Sequence, residues 1–119
     1  MPRFVILEHD HPHLHWDLML QIGGALRTWR LAAPPQPGAT IDALALGNHR
    51  LAYLDHEGPV SGNRGTVRRW DRGEYDTLEE TADVLTVLLR ADRLSGQVLL
   101  TRREGEHWEL RYKAVEQQA

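Results

Sequence analysis

Glycine and proline cut this chain into short apolar runs, and that punctuation constrains the fold more than any other feature of the sequence. The sharpest case is Gly23-Gly24, which separates the apolar-rich runs Leu14–Ile22 and Ala25–Leu31. A two-residue glycine turn between such runs marks a β-hairpin, because the favoured hairpin turns need positive φ. Arg3–Glu8 reads as a strand ahead of it. Ala33–Gly38 carries Pro34, Pro35 and Pro37 and is a loop, since proline has no N–H to give a ladder. Ile41–Leu46 and Leu51–Leu54 read as short strands on either side of Gly47-Asn48. Glu57–Gly65 reads as a glycine-rich loop, and Thr66–Asp71 as a strand ended by Arg72-Gly73. Leu78–Arg90 carries two signals. Thr77 and Glu80 have the spacing of a helix capping box, whereas Val84–Leu89 is β-rich, and the segment is assigned as a strand. Gln97–Arg102 and His107–Lys113 form a closing hairpin across Glu104-Gly105, and the tail 115–119 is expected to fray. So many short strands in 119 residues predict a mostly β, single-domain small barrel with short loops and little helix, because closure removes exposed strand edges.

Composition narrows the function. The formal net charge of −3 argues against non-specific nucleic-acid binding, which favours a basic surface, but leaves room for a local basic face. No apolar run approaches the roughly 20 residues that span a bilayer. Met1-Pro2-Arg3-Phe4 leads into a strand without an apolar signal segment. Together with the absence of cysteine, this predicts a cytoplasmic protein with no membrane partner. The lack of cysteine also removes disulfides, thiolate metal sites and cysteine nucleophiles.

The chemistry concentrates in His9-Asp10-His11-Pro12-His13-Leu14-His15-Trp16-Asp17, which holds four of the seven histidines. Imidazole nitrogen and carboxylate oxygen together suit Zn²⁺, Mn²⁺ or Fe²⁺. On an extended chain His15 and Asp17 point the same way, and His9, before the Pro12 bend, completes a three-ligand facial site. The other reading is a solvated polar strand edge. His11 and His13 share the cluster without a defined role and read as surface imidazoles. His56 reads as a loop residue and His107 as hairpin surface. Trp16, Trp29, Trp70 and Trp108 are expected in the core rather than as base-stacking faces. Asp71 is expected to serve a turn, and Arg68, Arg69 and Arg72 either grip phosphates or line a solvated face. The glycine-rich loop lacks a P-loop Lys-Ser/Thr, which speaks against nucleoside triphosphates.

Several of these residues, in order, resemble the 3′-phosphoesterase domain of bacterial DNA ligase D, which also occurs as a free-standing protein. They are Phe4–His9, Leu14–Leu20, Gly24–Trp29, His49–Tyr53, Glu57-Gly58, Gly65–Val67, Trp70–Gly73, Leu94–Gly96 and Trp108–Leu110. The resemblance implies a small β-barrel that binds a divalent metal, typically manganese, and trims 3′ ends of DNA or RNA primers during repair. Such a nuclease removes a terminal ribonucleoside and then the remaining 3′-phosphate. Residue by residue, it implies His9, His15 and Asp17 as metal ligands. His49 and Tyr53 are implied as phosphate contacts, so that His49, Tyr53 and His15 carry the catalysis. His49 and Tyr53 are expected on one short strand. A separately encoded ligase or polymerase is the implied protein partner.

Two positions depart from the pattern. Two residues after the metal-binding Asp the family carries a phosphate-contacting Arg, and here that position is Met19. A thioether cannot donate to an oxyanion as a guanidinium fork does. Either another arginine reaches in, with Arg64, Arg27 and Arg50 as candidates and Arg64 the first choice, or the activity is weakened. The Gly58–Gly65 loop is also shorter than in many relatives. Two rivals therefore stand beside a manganese-dependent 3′-phosphoesterase: a member that binds metal and nucleic-acid ends without turnover, and a phosphoesterase acting on small molecules. An unrelated cupin-like barrel would need a further ligand, such as His49 or Glu57.

Overall fold

Eight antiparallel strands close on themselves in this computed structural model, which describes residues 1–115. In chain order the strands are β1 (Arg3–His9), β2 (His15–Ile22), β3 (Ala25–Leu31), β4 (Thr40–Arg50), the two-residue β5 (Gly58–Pro59), β6 (Thr66–Glu80), β7 (Val84–Ala91), β8 (Ser95–Glu104) and β9 (His107–Ala114). The wall runs β1-β2-β3-β4-β9-β8-β7-β6, and β6 pairs back with β1, while β5 only adds to β6. Closure gives each wall strand two neighbours and leaves no long free edge.

The barrel interior is packed solid. Phe4, Ile6, Leu18, Trp29, Leu100 and Leu110 are essentially inaccessible, and Trp29 meets Trp108 edge to face with ring centroids 5.6 Å apart. Trp16 and Trp70 pack against the same cluster, so all four tryptophans serve the core. β1 is buried on both faces, which explains its unbroken run Phe4-Val5-Ile6-Leu7. Phe4 and Ile6 point inward, whereas Val5 and Leu7 join a second cluster with Met19, Leu26, Leu54, Val60 and Val67 on the outer wall. A 3₁₀ turn at Leu51–Leu54 and the segment through Val60 roof that second cluster.

Several boundaries differ from the sequence reading, two of them for a reason set by a partner strand. β4 runs unbroken through Gly47-Asn48, and Leu51–Leu54 is the 3₁₀ turn rather than a strand. Against β3, Leu26 pairs with His49 and Thr28 with Leu46, so Gly47-Asn48 forms a bulge and not a turn. β6 likewise continues through Arg72-Gly73 to Glu80. Gly73 is there because β7 crosses closely: a Cβ would lie 2.0 Å from the Arg90 carbonyl oxygen. The Thr77–Glu80 capping box does not start a helix. It ends β6, and the turn is built at Thr81, whose hydroxyl accepts the N–H groups of Asp83 and Val84 at 3.2 and 3.0 Å. β7 therefore begins at Val84, not Leu78. At the C-terminal end, Val115 donates its N–H to the Ser95 carbonyl at 2.8 Å instead of fraying. The rest of the expected frayed tail, residues 116–119, lies outside the described residues.

Candidate functional site

The site forms where β1 ends and β2 begins, on the outer wall beside the second cluster. His9 and His15 are direct cross-strand partners, and Leu7 pairs with Asp17 one step further along. Strand alternation puts His9, His15 and Asp17 on one face, with Leu7 and Met19 continuing it as the apolar floor. The connection from Asp10 to Leu14 is tied to the glycine-rich loop. Asp10 Oδ1 accepts the Thr66 N–H at 2.8 Å, and His9 Nε2 donates to the Arg64 carbonyl at 2.8 Å. Gly65 permits this contact. Its φ is +76°, and a Cβ there would sit 2.2 Å from Asp10 Oδ1.

The hydrogen bonds fix which nitrogen of each ring faces the centre. His15 Nδ1 is 2.7 Å from the His13 carbonyl, just as His9 Nε2 is held by the Arg64 carbonyl. A carbonyl only accepts, so these nitrogens carry protons, and a ring in its neutral form then presents the lone pair of its opposite nitrogen. Those lone pairs meet a carboxylate: Asp17 Oδ2 is 3.2 Å from His15 Nε2 and 3.7 Å from His9 Nδ1. His15 and Asp17 are only 5% and 4% exposed, and Asp17 Oδ1 is buried with no partner among the described residues. Burying three acceptors against one another without a donor is unfavourable. A shared cation resolves it. Ligands about 2.1 Å from one ion stand roughly 3–3.5 Å apart, close to the spacing here. One ligating atom from each of the three residues lies within 4.8 Å of the other two, so this donor set fits a divalent metal.

The other expected site residues fall into three groups. His49 and Tyr53 come together with ring centroids 5.8 Å apart, but not on one strand: His49 ends the bulged β4, and Tyr53 sits in the 3₁₀ turn. Tyr53 packs against the cluster that contains Met19, which places this pair on the same face of the wall as the trio. His56 adds an edge-on contact to Tyr53 at 5.8 Å and donates to the Pro59 carbonyl. Arg64 contributes its backbone carbonyl to His9, while its guanidinium turns back onto the Ser61 carbonyl at 2.7 Å and the Ser61 hydroxyl at 3.2 Å. Arg27 lies 4.7 Å over Trp29 and reaches Glu80, away from the trio, and Arg50 lines a small hollow with Tyr53 and His56. His11 stands 6.4 Å from His9, ring to ring, and His13 acts through its carbonyl. His107 bonds Asp42 at 3.3 Å. Arg68 and Arg69 pair with Glu8 and Glu57. Asp71 is a buried structural carboxylate that accepts the N–H groups of Arg72, Arg93 and Leu94.

One residue at the site escaped the sequence reading. Arg30 on β3 is the cross-strand partner of Asp17. The signal was present. A two-residue turn at Gly23-Gly24 fixes the β2–β3 register, and counting outward from Ile22 and Ala25 pairs Asp17 with Arg30.

Comparison with known proteins places the chain. The family described as DNA ligase D 3′-phosphoesterase domain matches residues 7–102, and the chain belongs to that family. It is 32% identical over 115 residues to the multifunctional non-homologous end joining DNA repair protein LigD of Mycobacterium tuberculosis, which covers 88% of this chain. It is 30% identical over 110 residues to LigD of Pseudomonas aeruginosa, covering 84% of this chain. The chain spans only 15% and 13% of the length of these two relatives.

Proposed function

We propose that this protein is a metal-dependent phosphoesterase that processes 3′ ends of DNA or RNA primers in DNA repair, with Mn²⁺ held by His9, His15 and Asp17. The observation that carries the reading is the convergence of two imidazole lone pairs and a buried, half-unpartnered carboxylate at 3.2 and 3.7 Å. Membership of the 3′-phosphoesterase family, and relatives named for non-homologous end joining, support the substrate class. When bound, such an ion supplies a Lewis acid for a phosphoryl oxygen and a water made nucleophilic near neutral pH.

The chain's own residues do the rest. The backbone carbonyls of Arg64 and His13 hold both ligand rings in the tautomer that ligation needs. His49 Nδ1 donates to the Gly47 carbonyl at 3.0 Å, which makes Nε2 its working nitrogen. As an imidazolium it donates from Nε2 to a phosphate oxygen or to the leaving oxygen. Tyr53 offers a neutral phenolic donor beside it. A ligase or polymerase activity is the expected partner of this end-processing step.

A second reading has its own observation. Met19 is 2% exposed within the outer apolar cluster and cannot contact a phosphate, which favours a member that binds ends without turning them over. Purified protein, Mn²⁺ and a primer ending in a 3′-phosphate decide between them. Conversion to a 3′-hydroxyl, lost in Asp17→Ala, supports the enzyme. A persistent 3′-phosphate at high protein concentration supports the binder.

A further inference from the structure

We infer that Arg30 is the phosphate-gripping guanidinium of this site, supplied across the ladder from β3. This deepens the reading above and rests on it. Arg30 pairs with Asp17, and the same outer-face row continues from Arg30 to Leu44 on β4 and His107 on β9. Directly paired residues hold their Cβ atoms about 5 Å apart, so an arginine side chain there reaches past the carboxylate to whatever the trio binds.

Three features set Arg30 apart from its neighbours. Arg68 is bonded to Glu8, Arg69 to Glu57 and Arg64 to Ser61, whereas Arg30 has no side-chain ion pair or hydrogen bond among the described residues. It is half-buried, and its Nε is shut off from solvent without a partner; Arg69 shares the buried Nε, but its guanidinium already pairs with Glu57. A guanidinium N–H desolvated in this way is unfavourable until an acceptor arrives. Finally, Arg30 and His15 share the wall of a hollow of about 260 Å³, so space for that acceptor exists beside the trio.

Charge selects what enters. A divalent ion and the Arg30 guanidinium, set against Asp17 and the Asp42 carboxylate on the wall of the same hollow, leave about one positive charge uncompensated on a partly desolvated face, which calls for an anion. A terminal phosphate or phosphodiester meets that demand. The planar fork of Arg30 matches two phosphate oxygens, a geometry Met19 cannot offer from β2.

The test compares wild type, Arg30→Met and Arg30→Lys. Methionine keeps much of the aliphatic volume, and lysine keeps the charge without the fork. Thermal melts with and without Mn²⁺ report folding and metal binding. Titration of the Mn²⁺-loaded protein with inorganic phosphate reports the anion site, and a 3′-phosphate primer reports turnover. The expected result is an unchanged Mn²⁺-induced Tm shift in both variants. Phosphate affinity should fall about ten- to hundredfold in Arg30→Met and less in Arg30→Lys. Phosphate affinity in Arg30→Met equal to wild type, or no phosphate binding by wild type, overturns the assignment. Phosphate binding that depends on Arg30, in a wild type that leaves the primer intact, upholds the anion role while refuting the esterase reading.

Discussion

Replacing Asp17 by asparagine separates two accounts of the buried trio. If His9 and His15 are neutral and their lone pairs await a cation, the metal-free protein buries a carboxylate against two acceptors at 3.2 and 3.7 Å, with its second oxygen unpartnered. An asparagine amide turns an N–H donor toward His15 Nε2, so the metal-free variant should gain about 1 kcal/mol of stability. The metal response should vanish. In wild type, Mn²⁺ at a hundredfold excess over Kd stabilises by about 2.7 kcal/mol, which is roughly 10 °C in Tm for a domain of this size. If instead the rings are imidazolium ions paired with Asp17, removing the charge strands buried cations and costs about 3–5 kcal/mol. Melting of both proteins in chelator, then with increasing Mn²⁺, reads out each term. A metal-free variant less stable by several kcal/mol, or one that keeps the full Mn²⁺ shift, would refute the lone-pair account.

Three further perturbations follow from particular contacts. Gly65→Ala forces a Cβ to 2.2 Å from Asp10 Oδ1 at φ +76°, so it should destabilise by about 1–3 kcal/mol and weaken metal binding by disturbing the Arg64 carbonyl that orients His9. Denaturant melts and a Mn²⁺ titration check both effects, and a neutral outcome would mean the two loops are not coupled. Asp71→Ala frees the N–H groups of Arg93 and Leu94, bonded at 3.1 and 2.8 Å, and should cost about 2–4 kcal/mol in urea unfolding while leaving the metal response intact. The hydrogen bond from the Arg90 guanidinium holds the Asp76 carboxyl below its ordinary 3.8. Its stabilisation is therefore complete above that value and is lost as pH falls through the lower folded value. Asp76→Asn should flatten the acid side of a Tm-against-pH curve and lower Tm slightly at neutral pH, where that stabilisation is complete.

The parts of the fold that were legible in the sequence are those governed by neighbours along the chain. The Gly23-Gly24 hairpin, the proline loop and the closing hairpin follow from local turn chemistry. Gly47 and Gly73 misled because their work is set by strands far away in sequence. One allows a bulge against β3, and the other lets β7 approach within contact distance. The site divides the same way. Period-two alternation was enough to put His15 and Asp17 on one face, whereas the approach of His49 to Tyr53 depends on a 3₁₀ turn that residue types alone do not announce. Arg64 matters through a backbone atom, which no side-chain pattern encodes. Arg30 became visible only once the hairpin register was counted across to Asp17.

The lumen of this barrel is filled with tryptophan and leucine, so it has no room for a guest. Whatever the trio meets must be presented at the molecule's flank. A polymer terminus can lie along such a flank with its length trailing into solvent.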